Sequence, residues 1–173
     1  NQVLIAQTGV IGEPLEYFKI LNCIKKLTQN LKSNNWIKGA QAIMTTDTFP
    51  KYSSYSYSYA GSNIYITGIS KGSGMIAPNM ATMLSFISSN INISKKMLQS
   101  LLEELSEETF NSITVDGDTS TSDTVILSCT GKSENIIIKN KSNKHYTKFK
   151  EALRKILKDL ALQIVRDGEG ASK

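Results

Sequence analysis

Hydrophobic residues recur every three or four positions in several stretches of this chain, the spacing of one helical face. Pro14 suits a helix N1 position, and Tyr17, Ile20, Leu21, Ile24, Leu27 and Leu31 then share a face. Ser33-Asn34-Asn35 ends that helix. Residues 36–44 predict a second, shorter one, which the polar Thr45-Thr46-Asp47-Thr48-Phe49-Pro50 run cannot continue. Ser94 is placed to cap a third helix with Met97, Leu98, Leu101, Leu102 and Leu105 inward; Glu103, Glu104, Glu107 and Glu108 form its solvated face. Phe149, Leu153, Ile156, Leu157, Leu160 and Ile164 give the longest stripe, with Lys148, Lys150, Lys155 and Lys158 on its wet side. Elsewhere the period is two, or the run is short and apolar. Tyr55, Tyr57 and Tyr59 alternate with serines, and residues 63–69 make a second strand after the turn Ala60-Gly61-Ser62. Residues 3–6, 82–87, 124–129 and 136–138 are further strand candidates.

Strands and helices mix without a strict βαβ rhythm, which predicts a layered α+β fold over a doubly wound one. The 173 residues make one domain or a fragment of one, and 40% hydrophobic against 20% charged residues excludes a disordered chain. Twenty Lys+Arg against fifteen Asp+Glu leave a net charge of +5, too modest to mark a nucleic-acid binder. The alternating tyrosines have no interleaved arginine to reach phosphates, so cross-strand packing explains them. No apolar run approaches the ~18 residues of a membrane span. Asn1-Gln2-Val3-Leu4 has neither an initiator Met nor a signal-peptide pattern, and reads as an internal segment.

Candidate chemistry is sparse. Cys23 and Cys129 lie in apolar runs and read as buried free thiols of a reducing compartment; with one histidine, His145, no zinc site assembles. Gly68-Ile69-Ser70-Lys71-Gly72-Ser73-Gly74 has a phosphate loop's glycine density but fails the Walker spacing. Asp116-Gly117-Asp118 begins like a calcium loop, yet Thr121 and Leu127 stand where Gly and Glu are required. His145, in a lysine- and asparagine-rich stretch, reads as an exposed bystander rather than a triad member.

One segment is more specific. Lys71-Gly72-x-Gly74-Met75-Ile76-x-Pro78-Asn79-Met80-Ala81-Thr82-Met83 resembles the self-cleavage segment of the ornithine acetyltransferase family, also called glutamate N-acetyltransferase. Four further segments resemble that family in the same order. They are Thr8-Gly9-Val10-Ile11-Gly12, the stretch from Ala42 to Lys51, the stretch from Asn111 to Thr121, and Arg166-Asp167-Gly168-Glu169-Gly170-Ala171. The likeness runs through the whole chain but only the central part of the family's polypeptide.

The resemblance implies an N-terminal-nucleophile-like layering of sheets and helices, and self-cleavage between Ala81 and Thr82. Residues 1–81 then end an α chain and 82–173 begin a β chain. A threonine hydroxyl is a poor nucleophile until a base takes its proton, and an N-terminal threonine carries one in its own α-amine, of pKa ~7.7–8.0. Without the flanking pattern, Thr82 is an ordinary strand-start residue. By resemblance, Thr8 and Gly9 form the oxyanion hole. Thr45 (with Thr46 a close second), Lys71, Thr82 and Glu169 line the substrate site, Lys71 for a carboxylate and Glu169 for an ammonium. Ser172 stands where the family usually has Thr. The implied reaction carries an acetyl group from N2-acetyl-ornithine to glutamate in arginine biosynthesis, in the cytoplasm. No metal or cofactor is expected; acetyl-CoA enters only as the alternative donor that some relatives use. The family assembles as an α/β heterotetramer, with no nucleic acid or membrane partner. A related self-processing aminopeptidase or amidohydrolase, and an uncleaved scaffold, are the competing readings.

Overall fold

The computed structural model describes residues 4–9, 12–74, 83–118 and 120–170. It is a mixed α+β arrangement built on a four-stranded sheet: β1 (Lys51–Tyr59), β2 (Ser62–Lys71), β3 (Leu84–Ser89) and β4 (Thr124–Cys129) lie side by side in that order. The first two contacts are antiparallel and β3–β4 is parallel. Two residues join β1 to β2, Ala60 (φ 49°) and Gly61 (φ 80°). Two successive positive φ angles match the type I′ geometry that suits the twist of a hairpin.

The described residues also form four α-helices, α1 (Tyr17–Gln29), α2 (Trp36–Ala42), α3 (Lys95–Glu107) and α4 (Lys144–Arg166), and a single 3-10 turn at Phe110–Ser112. The α4 stripe is buried as its period predicts, with Phe149, Leu153, Ile156, Leu157, Leu160 and Ile164 at most 1% exposed. They pack with Ile64 and Ile66 of β2, Ile87 of β3, and Leu101 and Leu105 of α3 in one core, against which Tyr55 and Tyr57 lie. Ser94 caps α3 by accepting from the Met97 N–H at 3.4 Å, and Asn143 caps α4 by accepting from the His145 N–H at 2.9 Å.

Several expectations are corrected. Residues 4–6 form no strand, and Leu4 and Ile5 are exposed, because no neighbouring strand is offered to them among the described residues. The face of α1 is amphipathic but uncovered: Tyr17, Ile20, Leu21, Ile24, Leu27 and Leu31 are all exposed, and so is Cys23. Helix α2 stops at Ala42, two residues short of the expected end. Residues 136–138 contribute one isolated parallel bridge, Ile93 with Ile138, instead of a strand. The side-chain amide of Asn135 occupies Asn92, accepting from its N–H at 2.9 Å and donating to its carbonyl at 3.0 Å, so no longer ladder forms there. The acidic run of α3 is not simply solvated, since Glu104 pairs with Lys150 and Glu108 with Arg154 of α4. His145 is buried, not exposed; its ring meets Tyr59 edge-on at 5.4 Å and burial lowers its pKa. Cys129 is part-buried, and burial pushes its thiol up to about 12.

Candidate functional site

At one end of the sheet, β2 runs out at Lys71 and the chain turns through Gly72, whose φ of 146° favours glycine. The polar loop that follows α2 and the turn that follows α4 meet this point. Together with the N-terminal segment they enclose a cleft of about 560 Å³. Thr8, Gly9, Thr45, Lys71 and Glu169 all line it, so five positions scattered through the sequence share one cavity. Thr46, Gly72, Ser73, Gly74, Asp116 and Asp118 complete the wall. Thr82 and Ala81 lie outside the described residues.

Lys71 is 2% exposed, and its Nζ donates to Thr45 Oγ1 at 3.0 Å. Burial pulls the ammonium below its ordinary pKa; the nearby Asp47 and Asp123 carboxylates oppose that drop and Lys51 adds to it. Among the described residues, no carboxylate lies within 4.0 Å of it. Ser73, which the sequence pattern leaves as a free position, joins the two sides of the cleft. Its Oγ lies 2.7 Å from Thr46 Oγ1 and 3.5 Å from Glu169 Oε1, and its carbonyl accepts from the Glu169 N–H at 2.7 Å. Nothing in the sequence marks Ser73, because a serine between two glycines reads as loop.

Beneath the cleft floor lies a charged cluster whose residues fall within the family-like segments 42–51 and 166–171 but are assigned no role by the resemblance. Lys51 is fully buried, with Nζ 2.6 Å from Asp47 Oδ1 and 2.5 Å from Asp167 Oδ2. The ammonium also lies over the Phe49 ring, 4.9 Å from its centroid. Asp47 Oδ1 accepts from the Gly72 N–H at 2.7 Å and Oδ2 from the Thr45 N–H at 3.1 Å. Burial alone would raise the Asp47 carboxyl, but the Gly72 N–H, the Lys51 ammonium and the Thr45 N–H outweigh it and hold it low. Asp167 is likewise held low against burial by Lys51 and by the Thr48 hydroxyl and N–H, the N–H lying 3.0 Å from Oδ2.

The start of β3 is fixed at both polar groups of Met83. Its N–H donates to Asp123 Oδ1 at 2.6 Å and its carbonyl accepts from the Thr124 N–H at 2.9 Å. Leu84 pairs with Lys71 across the sheet, so the residues that follow position 82 enter beside the lysine. Asp123 Oδ2 is buried and has no hydrogen-bond partner among the described residues. Burial pushes the carboxyl up to about 6, against the pull of the Met83 N–H and Lys71. Asp116 and Asp118 stand on the cleft wall, yet no cluster of three or more such side chains among the described residues is placed to hold a metal ion. No helix among them is long and apolar enough to cross a membrane.

The chain is similar to proteins called arginine biosynthesis bifunctional protein ArgJ. It is 53% identical over 171 residues to the one from Bartonella henselae, covering 99% of this chain and 42% of that protein. It is 48% identical over 173 residues to the one from Psychrobacter arcticus, covering 100% of this chain and 42% of that protein. The chain therefore spans well under half the length of these relatives. A crystal structure of the protein of that name from Bacillus halodurans is 44% identical; it covers 50% of this chain and 39% of that one, with a TM-score of 0.47, too loose a match to add to the fold. The ArgJ family model matches residues 1–173. Matched from its first residue to its last, the chain is a member of the ArgJ family.

Proposed function

We propose that the intact protein transfers the acetyl group of N2-acetyl-L-ornithine to L-glutamate, a step of arginine biosynthesis, through an acetyl ester on Thr82. The observation that carries this reading is the Lys71 ammonium. It is buried in the same cleft as Thr8, Gly9, Thr45 and Glu169, with a hydroxyl partner and no carboxylate within 4.0 Å among the described residues. Buried charge is costly without a counter-charge, and the carboxylate of an entering amino acid supplies one. Glu169, whose carboxylate lies against Gly74 on the cleft wall, is the matching group for an ammonium. The relatives are named for arginine biosynthesis, the setting of this reaction.

Self-cleavage before Thr82 leaves residues 1–81 in an α chain and 82–173 at the head of a β chain, with the α-amine of Thr82 as base. The hydroxyl oxygen attacks the acetyl carbon of acetyl-ornithine while its proton passes to that amine. The oxyanion so formed receives the Thr8 hydroxyl and the Gly9 N–H. Collapse breaks the C–N bond and ornithine leaves with the proton. The amine of glutamate then attacks the ester carbon, the acyl C–O bond to Thr82 breaks, and the proton lost by that amine passes through the Thr82 α-amine to restore the hydroxyl. Preorganised donors of this kind are worth roughly 10²–10³ in rate each. The layering of sheet and helices is read as that of an N-terminal-nucleophile enzyme, assembled as an α/β heterotetramer in the cytoplasm. Acetyl-CoA is a second donor to be tried in the same assay.

Mass measurement of the freshly expressed intact protein is expected to show two fragments meeting at Ala81–Thr82, with transfer of acetyl from acetyl-ornithine to glutamate. Thr82→Ala should abolish cleavage and transfer, and Thr82→Ser should keep some of each. One unbroken mass with full transferase activity refutes the mechanism. Acetate released at the same rate with and without glutamate identifies a hydrolase instead.

A further inference from the structure

The cluster beneath the cleft is expensive if it serves only to hold the fold. Buried ion pairs are weak stabilisers, because desolvation of each charge consumes most of their attraction, and apolar residues of similar volume commonly do as well. What distinguishes this one is where its hydrogen bonds end. Asp47 takes the N–H of Thr45 and the N–H of Gly72, the residue next to Lys71. Asp167 takes the N–H of Thr48 and lies two residues before Glu169. One ammonium, from Lys51 at the first position of β1, joins the two carboxylates. Three segments far apart in the chain, each carrying a residue of the cleft, are thus tied to a single nitrogen.

We propose that Asp47, Lys51 and Asp167 form a positioning triad that sets the distance between the Lys71 side of the cleft and the Glu169 side. The proposal rests on the reading that those two sides hold the charged ends of an amino-acid substrate. The charged ends of such a substrate can separate no further than its covalent length allows, and two protein charges engage both ends at once only when their own spacing is held within that range. The triad supplies that constraint through main-chain atoms: Thr45 and Gly72 are fixed by N–H groups, and the turn at 167–169 by the Lys51–Asp167 contact together with the Glu169 N–H to Ser73 carbonyl bond of 2.7 Å. None of the three lines the cleft, so they act through the residues that do.

Asp167→Asn is the principal test. It keeps one oxygen for the Thr48 donors, removes the charge that faces Lys51, and leaves Lys51 balanced by Asp47, so the fold is expected to survive. In the intact protein, Asp167→Asn should complete the Ala81–Thr82 cleavage and raise KM for acetyl-ornithine at least about tenfold, the loss expected when one charge-assisted binding contact is weakened. Its kcat should stay within a few-fold. Lys51→Met, which leaves two facing buried carboxylates, should show the same split more strongly, and Lys51→Met combined with Asp167→Asn should not restore KM even where it restores the melting temperature. An unchanged KM in a cleaved, folded Asp167→Asn protein overturns the triad while leaving the transferase reading intact. Failure of both single variants to fold makes the cluster purely structural and also overturns it. Absence of transfer by the unmutated protein removes the reading on which the triad rests, and is distinguished by being seen before any variant is made.

Discussion

Gly74 and the carboxylate of Glu169 are packed so closely that one methyl group separates a functional effect from a structural one. A Cβ built at Gly74 would lie 2.9 Å from Glu169 Oε2, 3.0 Å from Cδ and 3.4 Å from Oε1. Ordinary contacts of this kind begin near 3.5 Å, so Gly74→Ala must displace the carboxylate by roughly half an ångström or more. The Glu169 main chain is held by its N–H to the Ser73 carbonyl at 2.7 Å, so the motion falls on the side chain. The Ser73 Oγ contact to Oε1, already 3.5 Å, is then lost. Because the obstructing atoms are the free end of a flexible side chain, stability should change by less than about 1 kcal/mol. Acetyl-ornithine binding should change more: weakening one charge-assisted contact by about 1.4 kcal/mol raises KM about tenfold, with cleavage at Ala81–Thr82 complete. Gly68→Ala is the control. Its Cβ would meet Leu160 Cδ1 at 2.9 Å, Ile87 Cγ1 at 3.1 Å and Ile156 Cγ2 at 3.4 Å, all buried in the core. Overpacking there should cost about 1–3 kcal/mol and leave KM of the folded protein unchanged. Steady-state kinetics and denaturant melts on both variants decide the matter. If Gly74→Ala loses stability like Gly68→Ala and keeps its KM, the placement of Glu169 against the cleft is wrong.

Other consequences are testable with the same protein. Lys71→Met should raise KM for acetyl-ornithine much more than for an analogue whose carboxylate is amidated; equal losses would mean that Lys71 acts through packing alone. Thr8→Val should lower kcat by roughly ten- to a thousandfold with little change in KM, and a rise in KM at constant kcat would make Thr8 a substrate contact instead. Asp123 has a folded-state pKa of about 6 against an ordinary 3.8, so between about pH 4 and pH 6 the folded protein holds a proton that the unfolded chain has released. Its contribution therefore favours folding at low pH and is lost as pH rises through about 6. Urea melts across that range should show a shallower decline in Asp123→Asn than in the unmutated protein, and parallel curves would contradict the assignment.

The elements legible in the sequence are those whose pattern is decided by burial on one side. The α4 stripe, the β-branched run 124–129 and the alternating tyrosines of β1 all appear where their periods place them. The same logic reads a buried face on α1, which the described residues leave exposed, because periodicity reports amphipathicity and not what covers it. Within the cleft, Thr8, Gly9, Thr45, Lys71 and Glu169 were marked by family resemblance, and their convergence in one cavity is a finding of the fold. The layer beneath them lies in the same family-like segments, 42–51 and 166–171, but the resemblance assigns it no role. Lys51 looks like any strand-edge lysine, and only a tertiary contact with Asp167, 116 positions away, makes it a buried ion. His145 misled for the same reason: a lysine-rich neighbourhood suggests solvent, but its side chain turns inward against Tyr59.

The parallel pairing of β3 with β4 also bears on the order of assembly. The β1–β2 hairpin closes across two residues and forms early, whereas β3 meets β4 only after the crossover through α3 has docked, a non-local contact that is intrinsically slow. Both polar groups of Met83 depend on that late contact, since their partners are Asp123 and Thr124. A peptide bond that must be held rigidly to break itself would then stay intact on the nascent and half-folded chain. The cleavage proposed before Thr82 would then be a timestamp of completed folding, and on that reading a chain stalled before the crossover docks would keep its nucleophile blocked.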